Sequence, residues 1–130
     1  MKRILIFVLT IALTSCLRSN AETEPTLIKM RVTAYCINGI TASGTPTREG
    51  ICATGKSGML GKTVIVYRRL PNDEIGEALG IYEVTDTGCN ENVIDIWQPT
   101  LDDCQSVMDW AYEEGSAGRI WVQVLENCNG

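Results

Sequence analysis

Histidine is absent from the 130 residues. Without an imidazole the chain has no Ser-His-Asp or Cys-His relay and no histidine-bearing zinc site. Six cysteines are present but none forms a C-x-x-C pair, so an all-cysteine zinc site lacks its usual spacing. Positive charge is also scarce. Lys and Arg number 11 against 16 Asp and Glu, for a formal net charge of −5. Three of the basic residues (Lys2, Arg3, Arg18) precede position 21, whereas every acidic residue follows it. The remainder is strongly acidic and carries no electrostatic footprint for nucleic acid or an anionic membrane face. No apolar run reaches the ~20 residues of a membrane-spanning helix; the first, Ile4 to Leu13, is about half that.

That first run is an address. Met1-Lys2-Arg3 supplies a positive start, and Ile4 to Leu13 an apolar stretch of signal-peptide length. Ser19-Asn20-Ala21 suits cleavage before Glu22, giving a signal peptide over 1–21. Leu13-Thr14-Ser15-Cys16 also resembles a bacterial lipobox, which would leave a lipid anchor at Cys16. On either reading the protein is exported, either secreted or held in a bacterial cell envelope. Residues 22–28 read as a linker, and 29–126 as one domain. Export permits disulfides, and at least one bridge is expected among Cys36, Cys52, Cys89, Cys104 and Cys128, with the pairing open.

The domain reads as mainly β. Lys29 to Cys36, Lys62 to Arg68, Gly80 to Val84, Val93 to Trp97 and Ile120 to Leu125 have strand composition. Pro71-Asn72-Asp73 is a turn signal between the second and third of these. Thr100 is an N-cap with Asp103 in the capping-box position, opening one helix near the C-terminus. Its apolar stripe is Leu101, Cys104, Val107, Met108, Ala111 and Tyr112, and Gly115 ends it. Several short strands with a single helix point to a small barrel.

With histidine missing, the chemistry falls to carboxylates. Asp86 lies in Thr85-Asp86-Thr87-Gly88, and Asp95 inside the apolar stretch Val93-Ile94-Asp95-Ile96-Trp97. A carboxyl set beside Ile94, Ile96 and Trp97 would be desolvated, its pKa raised, and suited to act as a general acid. Alternation could instead turn Asp95 to solvent, and Asp86 could simply cap turn amides. Asp-Thr-Gly is also the aspartic-protease triplet, but polar Thr85 precedes it where that family has an apolar residue. Gly50 to Ser57 matches the phosphate-loop string G-x-x-x-x-G-K-[ST]; the required following helix is replaced by a loop and a strand, so the match is coincidental.

Thr33-Ala34-Tyr35-Cys36, Thr41-Ala42-Ser43-Gly44-Thr45, Leu60-Gly61-Lys62-Thr63-Val64, Thr85-Asp86-Thr87-Gly88 and Val93-Ile94-Asp95-Ile96-Trp97, in this order and spacing, resemble the three-aspartate domain. That family is related to the catalytic barrel of membrane-bound lytic murein transglycosylase A and, more distantly, to expansins and family-45 endoglucanases. The resemblance implies a six-stranded double-psi β-barrel acting on peptidoglycan or a related wall glycan. It places the acid/base at Asp95 and its partner at Asp86, with Tyr35, Thr33, Thr41, Ser43 and Trp97 against the sugar. No cofactor, no metal and a monomer are expected. Thr54 stands at the family's first aspartate, a position where a hydroxyl supplies no charge. The alternative is a non-catalytic, expansin-like module that binds wall polysaccharide.

Overall fold

In the computed structural model the described residues are 26–125. The expected signal peptide, Cys16 and Cys128 lie outside them. Six strands follow in chain order: β1 (Thr26–Tyr35), β2 (Ile51–Ala53), β3 (Thr63–Arg69), β4 (Ile75–Asp86), β5 (Val93–Trp97) and β6 (Arg119–Leu125). One helix, α1 (Leu101–Ala111), and a 3-10 turn (Glu113–Gly115) separate β5 from β6.

The strands close into a barrel in the order β1-β5-β2-β4-β3-β6. It is mixed. β1 with β5 and β2 with β4 are parallel, while β1–β6, β2–β5, β3–β4 and β3–β6 are antiparallel. Closure leaves no free sheet edge, so even the three-residue β2 has its backbone satisfied on both sides. Alternation fills the interior. Met30 and Val32 on β1, Val64 and Val66 on β3, and Ile94 and Ile96 on β5 are all at most 2% exposed and share one core. The β-branched residues that dominate it suit a pleated, packed surface.

Helix α1 covers part of this core. The Thr100 hydroxyl accepts from the Asp103 amide (3.1 Å), the N-cap the sequence predicts, while the Asp103 carboxylate accepts from that hydroxyl (2.9 Å) rather than from the Thr100 backbone amide of a full capping box. Cys104, Val107 and Ala111 are the buried face. Leu101 and Tyr112, placed on the same stripe by sequence, are instead 75% and 56% exposed. Leu101 opens the helix and Tyr112 is its C-cap, past the last helical residue, so neither sits on the packed middle turns, where Trp110 packs against the core. Glu114 and Gly115, both with positive φ, turn the chain back into β6.

Three boundaries differ from expectation. β1 starts at Thr26, so the last residues assigned to the linker pair with β6, Thr26 opposite Val124. β4 runs from Ile75, not Gly80, because the β3–β4 hairpin is tight. Asp73 adopts φ 69°, its amide bonds Leu70, and the ladder resumes immediately. β2 lies within the glycine-rich 50–57 segment and carries no period-2 signal, since all three of its residues are buried. No helix among the described residues is long and apolar enough to cross a membrane.

Candidate functional site

The register of three adjacent strands builds the site. Thr33 of β1 lies opposite Asp95 of β5, and Tyr35 opposite Trp97; on the other side of β5, Ala53 of β2 also faces Asp95. These residues occupy the face opposite to Ile94 and Ile96. The desolvation expected from those two isoleucines therefore does not come from them. On the outer side, Tyr35 and Cys89 lie near enough to feel the Asp95 charge.

Asp95 is half-buried, and burial raises its carboxyl above the ordinary 3.8. The Thr33 hydroxyl opposes this by donating to Asp95 Oδ1 at 2.8 Å. Asp86 ends β4, and its Oδ1 accepts from the Thr87 amide (2.9 Å) and the Ala42 amide (3.2 Å). The first bond is a turn cap of the kind a strand-end aspartate makes. The second reaches across from the 36–50 loop, and with the Ser43 amide on Thr85 O (2.9 Å) it docks that loop onto the end of β4.

Tyr35 joins the two aspartates. Its phenol is pushed up to about 12, first by burial and then by the negative charge of Asp86 and Asp95. It stays neutral across the physiological range. Its hydroxyl oxygen is buried and has no hydrogen-bond partner, an orphan that costs free energy unless something supplies the bond.

The remaining residues divide. Thr41 is 4% exposed and its hydroxyl donates to Thr45 O at 3.0 Å, so it braces the loop from within. Trp97 is 7% exposed and donates its indole N–H to Ile37 O (3.0 Å). It pins the start of the loop and offers no open ring face to a ligand. Ser43 is exposed on the same loop. Thr54 is 1% exposed, and its hydroxyl accepts from the Lys56 amide. The register thus gathers Thr33, Tyr35, Asp86 and Asp95, and turns Thr41 and Trp97 to structural work.

Sequence reasoning missed two contributors. The Ala42 amide on Asp86 is backbone chemistry that no residue type announces. The cysteines beside the carboxyls were counted only as bridge formers. Cys52 is pushed up to about 12 by burial, then by Cys89 and Asp95. Cys89 is raised by burial and by Asp95, while its sulfur contacts Ala53 O at 3.4 Å and Val93 O at 3.6 Å. Both stay thiols at neutral pH, which removes them as nucleophiles. The four described cysteines, Cys36, Cys52, Cys89 and Cys104, are free. Among the described residues no group of three His, Cys, Asp or Glu side chains is placed to hold a metal ion.

Fold and site together define a small closed mixed barrel with an aspartate pair and a neutral tyrosine on its outer wall. No family model matches the chain, and neither a curated protein nor a solved structure does.

Proposed function

We propose that this chain is an exported, cell-wall-active protein of the three-aspartate type that cleaves glycosidic bonds of peptidoglycan as a lytic transglycosylase. The observation that carries the reading is the raised, half-buried carboxyl of Asp95, bonded to Thr33 and flanked by a neutral Tyr35 whose hydroxyl has no partner. The two parallel pairs, β1–β5 and β2–β4, inside a six-stranded barrel support a double-psi arrangement. Leader and lipobox-like stretch support export, with Cys16 as the site of an anchor if the second cleavage operates.

One carboxyl suffices for this chemistry. Protonated Asp95 gives its proton to the glycosidic oxygen as the bond to the anomeric carbon breaks. The resulting carboxylate takes the proton of the sugar's own 6-hydroxyl while that oxygen closes on the anomeric carbon, leaving a 1,6-anhydro end and restoring Asp95. Transfer of this kind contributes about 10²–10⁴-fold. Asp86, held by two amides, supplies negative charge to the oxocarbenium-like transition state. The Tyr35 hydroxyl orients a sugar oxygen. Hydrolysis would need a second carboxylate acting on water, and the family position available for one holds buried Thr54.

A second reading has its own observation. With Asp86 Oδ1 occupied by Ala42 and Thr87, and with Trp97 and Thr41 buried in loop packing, much of the site also serves as scaffold. A barrel so built would bind wall polymer without cutting it. Incubation with purified peptidoglycan and mass spectrometry of the soluble products separates the readings. Anhydro-muropeptides are expected; reducing ends would mean hydrolysis, and sedimentation with the polymer without release would mean a binding module.

A further inference from the structure

Cys36 and Cys104 are distant in sequence and meet in space. Cys36 directly follows β1, where the Gln98 amide holds Tyr35 O at 2.8 Å and so keeps the strand end against the segment leaving β5. Cys104 sits one turn into α1, its amide on Thr100 O at the capped end. The helix packs on β1, and Cys36 lies near enough to Cys104 to help raise its thiol pKa, after burial. Cys104 is buried and Cys36 half-buried. The second cluster differs. Cys52 is fully buried in the core, and the Cys89 sulfur faces two backbone carbonyls rather than a thiol.

We propose that Cys36 and Cys104 form a disulfide that ties the end of β1 to α1, made by exchange with a disulfide-bearing oxidant of the exported compartment. The more accessible Cys36 sulfur attacks the oxidant's disulfide as thiolate, forming a mixed disulfide and releasing one thiol. Cys104, its neighbour across the β1–α1 packing, loses its proton and displaces the second oxidant sulfur from Cys36. One S–S bond is made, two protons leave the pair, and its two electrons reduce the oxidant to two thiols. The bond fixes the root of the 36–50 loop, the same loop whose Ala42 amide holds Asp86. It stands whether or not the glycan reading of Asp95 does.

The test uses the full chain. It is incubated with oxidised glutathione, quenched with iodoacetamide, and digested with trypsin plus a glutamate-specific protease, because Glu91 is the cut that separates Cys89 from Cys104. The expected product links the 32–48 peptide to the 92–113 peptide, with Cys52 and Cys89 carrying the alkyl label. Oxidation is also expected to raise Tm by about 5–20 °C, a shift lost in both Cys36→Ser and Cys104→Ser. Alkyl label on both Cys36 and Cys104 after oxidation overturns the proposal, as does a link from either to Cys89 or Cys128. The peptide map is made on the unaltered chain, so a serine variant that fails to fold leaves the outcome decided.

Discussion

Two opposed effects act on the carboxyl of Asp95: burial raises its pKa, and the Thr33 hydroxyl lowers it, with burial the larger. The sign for stability follows. A carboxyl whose folded pKa exceeds its unfolded value binds more protons in the native state, so its contribution worsens as pH climbs from 3.8 through the raised value. Below 3.8 there is no penalty, and above the raised value it is complete. Asp73 has the opposite sign, because Lys29 and Arg69 lower it; that part is common to wild type and Asp95 variants and cancels in a comparison. Asp95→Asn retains an acceptor for Thr33 and carries no charge. Its stability relative to wild type should rise with pH across the acid range and level off near neutrality, as denaturant melts at a series of pH values will show. On peptidoglycan the same variant should lose at least about 10²-fold in rate. Undiminished cleavage by a folded Asp95→Asn protein removes Asp95 from the chemistry.

Tyr35 provides a separate test at the same scale. Its hydroxyl is buried without a partner, so Tyr35→Phe removes an unsatisfied group and should leave Tm unchanged or slightly higher. If that hydroxyl holds a sugar oxygen, loss of one hydrogen bond of ~0.5–1.5 kcal/mol should slow cleavage about 2–10-fold. A variant that loses stability instead, with activity falling only in step with it, would make the phenol a packing group. Asp95 was legible in sequence because a carboxylate inside an apolar strand breaks a pattern. Tyr35 was a weaker inference, since a tyrosine beside a core gives the same signal whether its oxygen is bonded or orphaned.

Among the elements, α1 and the 53–56 turn fail in different ways. The α1 cap is local: Thr100→Ala removes the acceptor for the Asp103 amide and should cost about 1 kcal/mol. The turn is tertiary. A Cβ on Gly55 would run into the carbonyl oxygen of Cys89, and the Gly55 amide bonds Asn90 O at 3.2 Å, so neither backbone can retreat. Gly55→Ala should therefore destabilise more than Thr100→Ala, by about 1–3 kcal/mol, read as paired denaturation midpoints. The opposite order would mean that the 87–92 segment moves freely. This contrast explains what was readable. The capping box is written in adjacent residues, and so were the helix and the β-branched strands. β2 was not, because three residues buried on both sides carry no alternation. Nor was the exposure of Leu101 and Tyr112, which depends on α1 ending at Ala111.

The molecule as a whole is joined at one end by Arg68, a cation 1% exposed and in no pattern that sequence could show. From β3 its Nε donates to Trp110 O (3.0 Å), its guanidinium stacks 4.7 Å from the Trp110 ring centroid, and its terminal nitrogens reach Glu113 (2.8 Å), Glu114 (2.8 Å) and Glu77 (3.3 Å). One residue thus couples β3, β4, α1 and the 3-10 turn. The two sides of the network are unequally buried: the glutamates retain 58%, 62% and 35% side-chain exposure for Glu77, Glu113 and Glu114. Remove the cation, and Glu77 and Glu113, already more than half exposed, return to water at little cost. Remove the carboxylates, and a buried charge is left with only a carbonyl and an indole face. Arg68→Met, which keeps most of the volume, should cost about 1–2 kcal/mol, chiefly the Trp110 carbonyl bond and the stacking. The triple change Glu77→Gln, Glu113→Gln and Glu114→Gln should cost about 3–5 kcal/mol, the penalty for an uncompensated buried ion. Adding Arg68→Met to the triple variant should recover part of that loss. Chemical denaturation of the four proteins measures the cycle, and a triple variant as stable as Arg68→Met would show that Arg68 is solvated rather than sealed.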